Sequence, residues 1–341
     1  MFLKRARSVI GLDIGTRAVK ALEVTWDGAP RITGFACAEV PSAEATSETV
    51  ARVLRDGAFQ TRRVVTAVSG KSVIVRYLTM FKMGPEALKA AVRFEADKYV
   101  PFDVADVVMD SQPLSPEGQA DLGPNEMRVL LVACKRSLVA DQMRVLSAHG
   151  LQPQVVDVDA FALGNAFALA RHPQGEAARK VAALVDVGAS KTSVNVLAGA
   201  TSLFTREIHA AGDAFTAAIA SRLDLGQADA EALKRKPGQD EGRVRDAVSA
   251  AVADLSNEIR LSFDYFENQF DRGIDEVLLS GGGARLVGLV DGLGTTLGKP
   301  TATWDPTGDV AIAPSGVDAG RLREHMMEVA VAMGLASRGG P

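Results

Sequence analysis

The chain has 341 residues and a mass of 35.9 kDa, with 47% apolar and 23% charged residues, which suits about two globular domains and excludes a largely disordered chain. Lys plus Arg number 38 against 42 for Asp plus Glu, a net charge of −4, so the overall balance excludes nucleic acid as the expected partner. Cys37 and Cys134, both in apolar surroundings, exclude a disulfide framework, and no stretch reaches the ~18 uncharged apolar residues of a spanning helix.

Read in chain order, the basic start at residues 1–7 leads into an apolar run broken by Asp13, so it is no secretion signal, and a cytoplasmic protein is expected. Residues 9–15 read as a buried strand ending in a Gly turn, and 18–24 as the returning strand. Residues 64–68 and 73–78 alternate as strands joined at Ser69-Gly70-Lys71-Ser72. Gly84-Pro85-Glu86 opens a helix that carries Leu88, Ala91, Val92, Glu95 and Tyr99 and stops at Pro101. A strand over 104–109, a Gly- and Pro-rich loop over 115–126, a strand over 128–133 and a helix capped by Ser137 and ending at Gly150 complete an α+β unit. Residues 183–188 and 193–197 repeat the opening design. Helices follow over 212–225, 229–236 and 243–269, then a strand over 276–280, a Gly turn, a helix from about Ala284, and a last helix over 321–335. Strands alternating with helices indicate an α/β fold.

Three motifs carry chemistry. In Asp13-Ile14-Gly15-Thr16-Arg17-Ala18-Val19-Lys20, Gly15 lets backbone N–H groups approach a polyphosphate. Thr16 offers a hydroxyl and Lys20 a positive charge, and Asp13 suits a hydrated Mg²⁺, which needs only one or two carboxylates. Asp186-Val187-Gly188-Ala189-Ser190-Lys191-Thr192 repeats the pattern, so two hairpins are expected to grip one phosphate chain, with Asp13 and Asp186 sharing the metal. Ser280-Gly281-Gly282-Gly283-Ala284 adds a strand–Gly–helix turn on which an adenosine can lie, near a helix start that favours phosphate. A G-x-x-x-x-G-K-[ST] run is absent, and His149, His172, His209 and His325 are scattered, so neither a zinc site nor a His-based triad is indicated.

Two D-x-G hairpins, a linking helix and a late triple-Gly turn resemble the actin-like ATPase superfamily, whose phosphate-1, phosphate-2 and adenosine motifs match residues 11–20, 183–197 and 277–289. The inserted unit resembles that of the FtsA/PilM branch. Ala67-Val68-Ser69-Gly70, Phe94-Glu95-Ala96, Tyr99 to Asp103, Val156 to Leu163 and Phe263-Asp264-Tyr265-Phe266 are similar to the PilM type IV pilus assembly family. The resemblance implies a two-lobed fold with the first lobe at 8–60, 151–182 and 321–336, an insert at 61–150, and a second lobe at 183–320, whose outer part is 212–272.

It also implies ATP with Mg²⁺ in the cleft, bound by Asp13, Gly15, Thr16, Lys20, Asp186, Gly188, Ser190 and Thr192 around the phosphates. Gly212, at a turn lining the cleft, Glu231 and Lys234 at ribose and base, and Gly281, Gly282 and Gly283 complete the set. Asp159 stands where hydrolysing relatives place a water-activating Glu; being one methylene shorter, it implies little or no ATPase activity. Arg17 replaces a small residue, and Ala211 the first Gly of a Gly-Gly pair. The family role is that of a cytoplasmic scaffold, peripheral to the inner membrane, serving pilus assembly and twitching motility. Its partner is PilN, whose short N-terminal cytoplasmic peptide is expected where the insert meets the first lobe, near Tyr99 and Phe102, and self-association into a ring is a further expectation. Three other readings remain. An FtsA-like division protein would end in an amphipathic helix, which residues 337–341 do not resemble; a GspL-like secretion component would continue into a membrane helix; a sugar or acid kinase needs a carboxylate-lined substrate pocket.

Overall fold

The computed structural model describes residues 7–115, 119, 122–171, 175, 179–308 and 310–340. Most of the basic start, part of the Pro/Gly loop (Pro116 and Gly118 included), His172 and Pro341 lie outside them.

The first lobe is a six-stranded sheet. Strands β1 (Arg7–Ile14), β2 (Ala18–Asp27) and β3 (Ala29–Glu39) form an antiparallel meander, followed by α1 (Thr46–Asp56) and β4 (Arg63–Val68). The insert follows as β5 (Val73–Phe81), α2 (Pro85–Glu95), β6 (Val107–Pro113) and β7 (Glu126–Lys135). The chain returns through α3 (Arg136–Ala148) to β8 (Gln152–Val158), which pairs parallel with β4, and then enters α4 (Asp159–Arg171). The second lobe holds β9 (Val181–Val187), β10 (Thr192–Ala198), β11 (Thr201–Ile208), α5 (Gly212–Leu223), α6 (Gln227–Arg235), α7 (Glu241–Phe270), β12 (Glu276–Ser280), α8 (Leu289–Leu297) and β13 (Thr301–Thr303). Strand β14 (Ala311–Ile312) and helices α9 (Ala319–Glu324) and α10 (Ala330–Ser337) lead back to the first lobe. The sheet orders are β14-β3-β2-β1-β4-β8, β11-β10-β9-β12-β13 and, in the insert, β5-β7-β6.

Each element follows from its sequence. Strand β9 is buried at every position but Asp186, hence its near-continuous apolar run. Helix α4 is apolar on nearly every face because it lies between the lobes: Leu163 and Phe167 share one core with Leu184 and Leu197 of the second sheet and Leu335 of α10. Glycines set that spacing. A Cβ on Gly334 would lie 1.7 Å from Ala162 O, and one on Gly11 would lie 1.9 Å from Ala332 O, so α10 seats against α4 and β1 only because both are Gly. The 30-residue α7 ends where Asp271 turns left-handed at φ 50°.

Some boundaries differ from the sequence expectation. The expected insert at 61–150 includes β4, which belongs to the six-stranded sheet, and α3, whose Leu146 packs with Ile10 and Leu12 of the first lobe. The three-stranded insert itself runs from Val73 to Lys135. Within 183–320, β14 pairs with β3 of the first lobe. Ser137 is not a cap: α3 begins at Arg136, with Lys135 in the cap position. Residues 104–106 form a 3₁₀ turn stabilised by Asp103, so that strand begins at Val107. Gly282–Arg285 is a 3₁₀ turn and the helix begins only at Leu289, after Gly288 at φ 83°. The last helix breaks into α9, a 3₁₀ turn (Met326–Glu328) and α10.

The insert's central strand β7 is buried on both faces. Leu78, Val129 and Leu131 pack under Leu88 and Val92 of α2. Leu130 and Leu114 join the core of the second lobe, where Tyr77 Oη lies 3.0 Å from Ser202 Oγ and the Arg128 guanidinium stands 4.6 Å from the Phe270 ring centroid.

Candidate functional site

Two hairpins of the same design face each other across the cleft. In the first, β1 and β2 register Asp13 opposite Lys20, and Gly15 N donates to Ala18 O at 3.0 Å to close the turn. In the second, β9 and β10 register Asp186 opposite Ser193, and Gly188 N donates to Lys191 O at 2.9 Å. The turns meet at Thr16 Oγ1 and Ser190 Oγ, 3.3 Å apart. Arg17 reaches Asp213 at 3.0 Å, and Arg235 of α6 pairs with Glu39 of β3, so two further ion pairs join the lobes.

The two aspartates sit in different electrostatic settings. Lys20 Nζ donates to Asp13 Oδ2 at 2.8 Å. Burial raises Asp13 above the usual carboxylate range, with Lys20 opposing and Asp159 adding to the rise. Burial alone would lower the Lys20 ammonium, but Asp13 chiefly, with Asp186 and Glu328, holds it well above its ordinary value. Asp186 is pushed up to about 6, first by burial and then by Asp13 and Asp159, against the Ser280 hydrogen bond and Lys20. Its bonded partner is neutral: Ser280 Oγ donates to Asp186 Oδ1 at 2.8 Å. Asp159 thus raises the proton affinity of both Asp13 and Asp186, and Asp13 that of Asp186, with Lys20 and Lys191 as the nearby cations.

That setting fits a hydrated divalent cation. Among the described residues no group of three or more His, Cys, Asp or Glu side chains is gathered closely enough to ligate a metal directly. Mg²⁺ keeps several waters and needs one or two carboxylates, which Asp13 and Asp186 would supply. Gly15, Gly188 and Gly212 line the same region. A Cβ at Gly212 would stand 3.0 Å from Gly188 O, and one at Gly188 3.0 Å from Lys191 O. Gly281, at φ 87°, lies against the second hairpin: a Cβ there would be 2.3 Å from Val187 O, and one at Gly283 2.5 Å from Val187 Cγ1. Gly282 borders Glu328, which pairs with Arg285 at 3.4 Å.

Other expected site residues have different partners. Thr192 is fully buried and its hydroxyl donates to Ala210 O at 2.7 Å, so it holds the hairpin and does not face the cleft. The N–H groups of Gly212 and Asp213, which open α5, donate to Gly188 O at 3.0 Å and Ala189 O at 2.7 Å, so they are spent on the hairpin. Lys234 donates to Gly212 O at 2.9 Å and Thr216 Oγ1 at 2.7 Å and pairs with Glu231 at 2.6 Å, tying α6 to α5. Asp159 opens α4 and is held by Lys191 Nζ at 2.7 Å. Ser280 and Lys191 stand in the quoted motifs, but the sequence reading gave neither a role in the site. The signal for Ser280 was its place one residue before the glycines, which the β12–β9 register sets beside Asp186.

At the insert, a cavity of about 420 Å³ is lined by Phe102, Asp103, Asp106, Lys135, Arg136 and Ser137, where β7 passes into α3. Lys135 Nζ stands 4.4 Å from the Phe102 ring centroid. Tyr99 packs instead against the core under α2. No helix among the described residues is long and apolar enough to cross a membrane.

The fold recurs in solved structures. The PilM–PilN type IV pilus biogenesis complex matches with a TM-score of 0.85 and 33% identity over 98% of this chain and 99% of the other. The ethanolamine utilization protein EutJ from Carboxydothermus hydrogenoformans matches at TM-score 0.55 and 13% identity, over 98% and 90% of the two chains. MreB5 of Spiroplasma citri bound to AMPPNP matches at 0.52 and 11%, over 96% and 94%. The last two establish the actin-like fold alone. The sequence model of the family described as type IV pilus assembly protein PilM matches residues 11–340. With that match over nearly the whole chain, the protein belongs to the PilM family of type IV pilus assembly proteins.

Proposed function

We propose that the protein is an ATP-binding scaffold of the type IV pilus assembly platform that binds the N-terminal cytoplasmic peptide of a PilN-like membrane protein. The observation that carries the nucleotide half is the apposition of the two hairpins: Thr16 and Ser190 meet across the cleft while Asp13 and Asp186 lie in one electrostatic field. In this reading Thr16, Ser190, Lys20 and the backbone at Gly15 and Gly188 hold the phosphates. Asp13 and Asp186 hold Mg²⁺ through water, and Gly281 to Gly283 support the adenosine. When bound, Mg²⁺ supplies charge neutralisation for the phosphates and the carboxylates alike. Glu231 and Lys234 shape the wall by fixing the start of α5, where Gly212 sits.

Turnover in this reading is slow. Asp159 is the only carboxylate proposed for positioning water, and its charge is engaged by Lys191. Nucleotide then acts as a ligand that favours the closed lobes by its differential affinity for them. For the peptide, the support is the PilN partner named in the 33%-identical structure and the cavity at Phe102 on the border of insert and first lobe. The protein works on the cytoplasmic side, held to the membrane by that partner, and rings form through copies of the chain. Thermal melting tests the nucleotide half. Mg-ATP at about 100 times its Kd stabilises by about 2.7 kcal/mol. Asp13→Ala and Asp186→Ala each lose the Mg²⁺-dependent part of the shift; no shift in the parent protein at millimolar Mg-ATP contradicts the cleft assignment.

A further inference from the structure

Glu207, at the end of β11, touches both the phosphate hairpin and the insert. Lys191 follows Ser190 in the second hairpin, and its Nζ reaches Asp159 Oδ2 at 2.7 Å and Glu207 Oε2 at 3.1 Å. The same Oε2 accepts from Gly70 N at 2.9 Å. Gly70, at φ 91°, forms the turn through which the chain leaves β4 for the insert, closed by Val73 N donating to Gly70 O at 2.9 Å. Glu207 Oε1 is buried and has no hydrogen-bond partner among the described residues; His209 Nδ1 stands off at 3.9 Å. A space of about 210 Å³ adjoins the group, bordered by Gly70, Val73, Asp159 and Ser193.

The two ends of this linkage belong to different bodies. The insert's chain enters from the first-lobe strand β4, yet its sheet face packs in the second-lobe core through Leu130 and is bonded there by Tyr77 to Ser202 and Ser115 to Thr201. Any relative movement of the lobes therefore shears the chain between β4 and β5. Glu207 is fixed to the second lobe and grips the turn where that shear falls, while Lys191 ties it to the hairpin that meets Thr16.

We propose that Glu207 is a positioning residue that couples the phosphate hairpin of the second lobe to the entry turn of the insert, so that nucleotide in the cleft sets the insert's position. This rests on the reading of the cleft as a nucleotide site. Ligand that fixes the Ser190 turn fixes Lys191, and through Glu207 it fixes Gly70; coupling of this kind is reciprocal, so a partner on the insert alters nucleotide affinity by the same factor.

Two readouts on the full chain test it: melting temperature with and without Mg-ATP, and hydrogen exchange across residues 69–76. In the parent protein Mg-ATP raises Tm and slows exchange in that segment about fivefold, the low end of ordinary coupling between sites. In Glu207→Ala the Tm shift remains and the slowing is lost. Glu207→Gln, isosteric and still able to accept from Gly70, removes the charge that holds Lys191 and keeps less than half of the slowing; it decides the matter if the Ala variant does not fold. Slowing that persists undiminished in the variants, or that is absent in a parent protein whose Tm Mg-ATP does raise, overturns the coupling. Absence of any Tm shift in the parent overturns the nucleotide reading first, and the coupling with it.

Discussion

The first hairpin neutralises its aspartate with a lysine across the ladder; the second offers a serine at the matching place. Asp13 faces Lys20 and Asp186 faces Ser193, although both turns carry Asp-x-Gly and a hydroxyl. The difference lies in the strand that returns, seven residues after each aspartate. One hairpin closes its own charge, and the other leaves a carboxylate bonded by the Ser280 hydroxyl, with the Lys20 charge at longer range. A repeated motif thus builds an asymmetric pair, in which Asp186 would gain more from an added cation than Asp13.

The largest way to break the comparison is Lys20→Met. It leaves Asp13 buried beside Asp159 and Asp186 without its bonded cation, and about 3 kcal/mol of stability is lost, read by urea denaturation. A smaller loss, of about 2 kcal/mol, follows Gly281→Ala, because a Cβ at φ 87° would strike Val187 O and push the triple-Gly turn off the second hairpin.

Asp186→Asn sharpens the contrast by its sign. The folded pKa of about 6 stands above the ordinary 3.8, so the folded state binds a proton that the unfolded chain has released, and stability falls as pH rises from about 4 to about 6. Removing the charge while keeping an acceptor for Ser280 stabilises the ligand-free protein at pH 7 by about 2 kcal/mol and flattens that part of the pH–stability curve. The same variant loses the Mg²⁺-dependent gain from ATP. Least of all, Ser193→Ala, at the position matching Lys20, costs about 1 kcal/mol or less, measured by the same denaturation. If Ser193→Ala proves as damaging as Lys20→Met, the hairpins are not electrostatically different.

Much of the fold was legible because the motifs lie on short-range ladders. Asp13, Gly15 and Lys20 fall in one hairpin, and so do Asp186 and Gly188, so spacing alone gives their juxtaposition. The α/β reading and the order of elements along the chain also follow from periodicity. What escaped depends on contacts distant in sequence. Strand β4 reads as part of the insert because it precedes β5 by a few residues; only its parallel pairing with β1 and β8 places it in the first lobe. Thr192 carries the right hydroxyl for a phosphate, but strand alternation turns it inward to Ala210 O. Lys234 looks like a ligand contact until α5 is set beside it, and then its ammonium donates to Gly212 O and Thr216 Oγ1. Glu207 has no motif at all; its meaning comes from Gly70, 137 residues earlier.

One metal shared between two unlike hairpins is the central claim, and replacing Mg²⁺ with Mn²⁺ tests it most directly. Crystals grown with Mn²⁺ and a non-hydrolysable ATP analogue locate the ion by anomalous scattering. The account predicts a single peak roughly 4 Å from the carboxylates of both Asp13 and Asp186, the span of one bridging water. A peak beside one aspartate only, or an ordered nucleotide with no ion between the hairpins, contradicts it.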